Sequence, residues 1–211
     1  MTNDTIEGSF RSDDRLLIER LRVSLDRGSF PSLVESENIH RAAVCIFFNP
    51  SSEGLNVLLV KRMEKSEDPW SGHMAFPGGK RKKGDLDDLA TAVREVYEET
   101  GINIRKAEIL GVLKEVIPST QLSIKVVPFV AFSPGLVTVH ANEEIQRCFW
   151  IPVSYFLDQR NVTRFRINRF GFEADVPCYR YLGENVIWGL TFRIIQDLLS
   201  RLERADIAHS L

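Results

Sequence analysis

Apolar residues along the chain alternate between helical and strand spacing. Leu16, Leu17, Leu21 and Leu25 recur at helical spacing between Ser12 and Arg27, behind the capping residues Ser12, Asp13 and Asp14, and predict an N-terminal helix. Gly28 to His40 reads as a loop. Apolar runs at Ala42–Phe48 and Leu55–Val60, on either side of Asn49-Pro50-Ser51-Ser52-Glu53-Gly54, predict a hairpin. A short strand at His73–Phe76 ends at Pro77-Gly78-Gly79, and a basic loop then leads into a helix from about Asp85 that Gly101 stops. Strands follow at Ile109–Ile117, Ile124–Phe132 and Arg147–Trp150, a short helix at Val153–Leu157, and strands near Thr163–Asn168 and Cys178–Tyr181. Leu190, Ile194, Ile195, Leu198, Leu199 and Leu202 form the stripe of a closing helix from about Ile187 to Arg204. The pattern predicts an α/β fold, a mixed sheet sandwiched by helices, with residues 1–40 as a helix and loop packed on a core domain of residues 41–211.

Composition narrows the partners. With 211 residues, 44% of them apolar, one core is expected, and a net charge of -2 offers no general attraction to nucleic acid. No apolar run approaches a membrane span, and no basic stretch followed by an apolar one opens the chain. Cys45, Cys148 and Cys178 stand singly, without metal-ligand spacing, and are expected to be buried thiols. A cytoplasmic protein acting on a small molecule, without nucleic-acid or membrane partners, is the expectation.

One helix carries chemistry. On a wheel of about 100° per residue, Glu95, Glu98 and Glu99 fall on one stripe, with Leu86, Leu89, Val93, Val96 and Tyr97 opposite. Like charges three and four apart repel, and acids in the last turn oppose the helix dipole, each costing a few tenths to about 1 kcal/mol. A bound divalent cation reverses both penalties, and magnesium or manganese suits such oxygen ligands. A solvated acidic face is the plainer alternative, but the preceding loop adds weight to the first reading. Gly78 and Gly79 permit close backbone approach, and Lys80-Arg81-Lys82-Lys83 places cations near the helix start, where a diphosphate is attracted.

Together, Gly79-x5-Asp85-x8-Arg94-Glu95-Val96-x-Glu98-Glu99-x-Gly101-Ile102 resembles the Nudix box, G-x5-E-x7-R-E-U-x-E-E-x-G-U. Asp85 replaces the first glutamate, and the spacer to Arg94 is one residue longer. That variant, with Ala92-Val93-Arg94-Glu95, Val127-Pro128-Phe129-Val130, Asn142-Glu143-Glu144-Ile145 and Ile187-Trp188-Gly189-Leu190-Thr191, is similar to the coenzyme A diphosphatase branch, over roughly residues 42–202. The branch's additional signature is partial: Leu58-Leu59-Val60-Lys61-Arg62 and Gly72-x3-Phe76-Pro77-Gly78-Gly79 fit, while Met63 stands in place of a small residue and no arginine lies between Arg62 and Gly72.

The resemblance implies a Nudix-type α/β/α sandwich and a Mg2+- or Mn2+-dependent diphosphatase. Glu95, Glu98 and Glu99 with the Gly79 carbonyl would hold the metal, and Arg94 would orient a neighbouring carboxylate such as Glu98 or Asp85. Glu98, Glu143 or Glu144 would be the general base, with Glu144 preferred. Arg62, His73, Lys80 and Arg81 are the candidate substrate contacts. Trp70 either stacks on a base or packs locally; Trp188 and Phe192 are read as core. Coenzyme A or its thioesters is the first candidate substrate. ADP-ribose or a dinucleotide is the alternative, because Pro118 lies sixteen residues after Ile102, where ADP-ribose-cleaving relatives carry a proline. A nucleotide sensor without catalysis is a third reading, and a homodimer is left open.

Overall fold

The computed structural model describes residues 11–26, 40–64, 72–119, 122–169 and 172–209. Arg27, the loop up to residue 39 and Trp70 lie outside them.

Helix α1 (Ser12–Ser24) follows Arg11, and none of the three capping candidates caps it. Asp14 instead accepts the Leu55 amide at 3.0 Å, fastening the helix to the turn of the first hairpin. That hairpin joins β1 (His40–Ser51) to β2 (Gly54–Arg62), with Ser51 opposite Gly54 around the two-residue turn Ser52-Glu53. Then come β3 (Met74–Ala75), β4 (Gly78–Lys80), α2 (Asp88–Thr100), β5 (Glu108–Val112), β6 (Ile124–Phe132), β7 (Ile145–Pro152) and α3 (Val153–Leu157). The order closes with β8 (Val162–Arg169), β9 (Phe172–Tyr181), β10 (Asn185–Trp188) and α4 (Gly189–His209).

Among the described residues the main sheet runs β3-β2-β1-β6-β5, with β4 added to β1 and β7 to β2. Only Phe48–Ser51 of β1 pairs with β2; Ala42–Val44 pairs with β4, so β1 and β2 part company and β4 runs beside the opening. Strands β1 and β6 are parallel in unbroken register, which requires a long crossover, and α2 supplies it. The period-2 alternation of β1 sends its side chains to two cores. Ala43, Cys45 and Phe47 pack with Ala92 and Val96 of α2. Ile46 and Phe48 pack with Ile18 and Leu21 of α1 and Ile194 and Leu198 of α4. This is the expected α/β/α layering around a mixed sheet.

The structure revises the sequence reading in several places. A second sheet, β10-β9-β8, includes β10, whose Ile187 and Trp188 the spacing assigns to the start of the last helix. Gly78 and Gly79, expected at the end of the short strand from His73, open a separate strand, β4. Helix α2 begins at Asp88, capped by Asp87, whose side chain accepts the Ala90 amide at 2.6 Å. Leu86 and Tyr97, placed on its apolar face by the wheel, are exposed. Cys45 and Cys178 are buried, but Cys148 is only half-buried. Trp188 is not core: it lines a cavity, and Phe165 and the His73 ring lie against it. No helix among the described residues is long and apolar enough to cross a membrane.

Candidate active site

The cavity, about 530 Å³, opens where β1 and β2 diverge. Val44, Ile124, Val126 and Leu190 line it, as do the carboxylate-bearing residues Glu95, Glu98, Glu99 and Glu144. Helix α2 delivers three of the four. Its last turn ends at Gly101, whose φ of 71° is the left-handed conformation that lets its amide reach the Tyr97 carbonyl. The segment after β6 answers other carbonyls that a helix end leaves unpaired: His140 N–H donates to Thr100 O at 2.8 Å and Asn142 N–H to Glu99 O at 3.2 Å. Asn142 Oδ1 in turn accepts the Glu144 amide at 2.9 Å, and the Glu144 carbonyl accepts the Met63 amide at 2.8 Å. The loop carrying Glu144 is therefore stapled to the helix end and to Met63, the residue after β2. In the sequence this bracing role of Asn142 shows only as the Asn-x-Glu spacing.

The three helix glutamates differ more than a wheel implies. Glu99 is 2% exposed. Its Oε2 accepts the Gly78 amide at 2.9 Å and its Oε1 lies 3.4 Å from an Arg62 nitrogen. Burial dominates over both contacts and over the repulsion of Glu95 and Glu144, and pushes the carboxyl up to about 7. Glu95 faces Arg94 at 2.6 Å, and Glu98 receives both Arg94 and Lys82 at 3.2 Å. A side chain at Gly79 would meet the Glu95 carboxyl at 2.5 Å, so the glycine makes room for it. Gly78 is constrained more firmly, because its φ of 150° and the backbone of β1 leave no place for a Cβ.

Arg94 is the hub. Its Nε and Nη2 fork onto Asp85 at 2.9 and 2.8 Å, Nη1 serves Glu95 and Glu98, and Nη2 also reaches the Lys80 carbonyl at 3.0 Å. The paired guanidinium holds Asp85 well below the usual carboxylate range, helped by the Lys82 amide and the Thr91 hydroxyl.

Of the candidate substrate contacts, Arg62, His73 and Lys80 line the cavity. Arg81 does not: it turns away to the carbonyls of Asp85 and Leu86, at 3.1 and 3.2 Å, and braces the loop. Lys82 takes the place at the cavity wall. Pro118 also borders the cavity.

The Gly79 carbonyl is displaced too. Cys45 N–H donates to Pro77 O and Arg81 N–H to Arg41 O, so the alternation of an antiparallel ladder turns the Gly79 amide and carbonyl toward Ala43. Those of Gly78 and Lys80 face away from β1, as the bonds to Glu99 and Arg94 bear out. The Gly78 carbonyl is therefore the better-placed main-chain oxygen.

The clustered carboxylates are oxygen donors that fit a hard divalent cation, and guanidinium and ammonium groups balance their charge. Among the described residues no three acidic, histidine or cysteine side chains already converge on one point. Glu95 and Glu98 are turned to Arg94 and Lys82, and Glu99 to Gly78 and Arg62.

Comparison with known proteins gives concordant results. The NUDIX domain family model matches residues 38–168. An uncharacterized Nudix hydrolase, NudL, of Photorhabdus laumondii is 30% identical over 175 residues, 82% of this chain and 90% of that protein. The peroxisomal coenzyme A diphosphatase NUDT7 of Mus musculus is 30% identical over 132 residues, 62% of this chain and 54% of that protein. A MutT/nudix family protein from Enterococcus faecalis superposes with a TM-score of 0.54 at 19% identity, over 88% of this chain and 74% of that one.

Proposed function

Since the chain belongs to the Nudix family, hydrolases of phosphoric anhydrides that act on nucleoside diphosphate derivatives, we propose that its substrate is coenzyme A or an acyl-coenzyme A, cleaved to 3',5'-ADP and (acyl-)4'-phosphopantetheine. The observation that carries this reading is one cavity joining four carboxylates at a helix end to an apolar floor of Val44, Ile124, Val126 and Leu190. The charged part suits a diphosphate with its counter-ion, and the apolar part suits an uncharged arm. The mouse relative's name supports the same choice.

Glu95, Glu98 and Glu99 with the Gly78 carbonyl hold Mg2+ or Mn2+ in this proposal. When bound, the ion supplies neutralisation of the charge that gathers on the diphosphate oxygens. The chain's own residues do the rest. Glu144, fixed through Asn142 and Met63, accepts a proton from the attacking water. Arg94, committed to Asp85 and the Lys80 carbonyl, orients Glu95 and Glu98 instead of touching substrate. Arg62 and Lys80 meet the phosphates, and His73, edge-on to Trp188, contacts a flat or apolar group. Pro118 at the cavity border favours ADP-ribose as a second reading.

The test is product chromatography after incubation with Mg2+ or Mn2+ and, separately, coenzyme A, an acyl-coenzyme A, ADP-ribose, NADH and diadenosine polyphosphates. Preferential release of 3',5'-ADP from the coenzyme A compounds is expected. Preferential cleavage of ADP-ribose replaces the substrate and keeps the chemistry; cleavage of none removes the proposal in favour of a sensor.

A further inference from the structure

Two cations share Glu98, and they are held very differently. Arg94 is anchored away from the carboxylates by its fork onto Asp85 and its bond to the Lys80 carbonyl. Among the described residues the Lys82 ammonium is held by carboxylates alone, 3.2 Å from Glu98 Oε2 and 3.9 Å from Glu95 Oε1, on a side chain that is 60% exposed. Its backbone is nevertheless fixed. The Lys82 amide donates to Asp85 Oδ2 at 2.9 Å, and the Asp85 amide returns a bond to the Lys82 carbonyl at 3.1 Å. The arginine that orients Glu95 and Glu98 thus also fixes, through Asp85, the base of the lysine that reaches them. Neighbouring Arg81 is turned to the loop carbonyls, so of these two adjacent cations it is Lys82 that reaches the carboxylates.

We propose that Lys82 is a tethered counter-cation of the carboxylate cluster, which a divalent ion must displace, so that Lys82 sets the affinity of the site for that ion. The inference rests on the metal-binding part of the proposed function. An ammonium and a divalent cation beside the same oxygens repel each other, and an exposed lysine gains little from staying, so the lysine yields while Arg94 does not. Its presence lowers the affinity for the ion, and in the ion's absence it relieves the repulsion between Glu95 and Glu98.

The experiment is isothermal titration of the full chain with Mn2+, without substrate, at about 0.15 M salt, where charges beyond about 8 Å are screened. Wild type is compared with Lys82→Gln, Lys82→Arg and, as a control for net charge, the exposed neighbour Lys83→Gln. Lys82→Gln is expected to bind Mn2+ about three- to tenfold more tightly than wild type. Lys82→Arg and Lys83→Gln are expected to stay within about twofold of it. A structural role alone predicts the opposite sign, because a disturbed loop weakens binding. Equal or weaker binding by Lys82→Gln, or equal tightening by Lys83→Gln, overturns the proposal while wild-type binding keeps the metal reading. Absence of Mn2+ binding by wild type overturns both.

Discussion

The two ends of α2 each bury a carboxylate, and they treat it in opposite ways. Asp88, 1% exposed in the first turn, meets a short fork from Arg41, with Nε at 2.9 and 3.0 Å, and the helix dipole favours its charge. Arg41 also reaches Glu115 at 2.7 Å, linking β1, α2 and the segment after β5. Glu99, 2% exposed in the last turn, faces an unfavourable dipole, an arginine at 3.4 Å and one amide, and its carboxyl is pushed up to about 7. The first carboxylate is matched by the protein. The second is under-matched, which makes it a poor contributor to stability and a good ligand for a cation that arrives later. Burial alone would rank the two as equals; the quality of the partner distinguishes them.

The comparison can be broken most decisively at Glu99. Glu99→Gln keeps the shape and removes the charge, and is expected to lower turnover by about a thousandfold, or roughly 4 kcal/mol, with no loss of stability in metal-free buffer. A large fall in stability would mean that the charge is structural. Next in size is the opposite end. Arg41→Met leaves Asp88 buried without its partner and is expected to cost about 3 kcal/mol, a fall of roughly 6–12 °C in the thermal midpoint, with turnover per folded molecule little changed. A shift under a few degrees would remove the contrast.

The smallest effect sharpens the comparison. Arg94 depresses the Asp85 carboxyl, so its contribution to stability is present above the ordinary carboxylate value of about 4 and is lost as pH falls through and below it. Asp85→Asn is therefore expected to be about 1 kcal/mol or more less stable than wild type at pH 7, with the gap closing toward pH 3. Denaturant midpoints at the two pH values check the sign; a gap that widens at low pH would contradict it.

Much of this arrangement was legible in the residues. The Gly79-to-Ile102 spacing located α2, its stop at Gly101 and its carboxylates, and the run Ile124–Phe132 matched a strand end to end. What escaped depended on partners distant in sequence. A wheel could not know that β4 lies across the last turn of α2, and so treated Glu99 as exposed beside Glu95 and Glu98. Arg41, Asp88 and Glu115 are 47 and 74 residues apart, and no local pattern joins them. Asp85 resembled the start of the helix because it is acidic and close to it. Its side chain is taken up by Lys82, Thr91 and Arg94, and the cap falls to Asp87. The last two residues of the four-residue strand β10, Ile187 and Trp188, read as the start of the helix that follows it. Arg81 and Lys82, adjacent and alike in the sequence, are separated only by where the loop turns them.

The central claim, that the Glu99 end of α2 is built for a cation and the Asp88 end for stability, is tested most directly by the thermal midpoint with and without Mn2+. Wild type, Asp88→Asn and Glu99→Gln would be measured side by side. At an ion concentration about a hundredfold above the dissociation constant, a rise of roughly 5–10 °C is expected in wild type and in Asp88→Asn, the latter from a lower starting point. The rise should be lost or sharply reduced in Glu99→Gln. An undiminished rise in Glu99→Gln, or its loss in Asp88→Asn, would contradict the assignment.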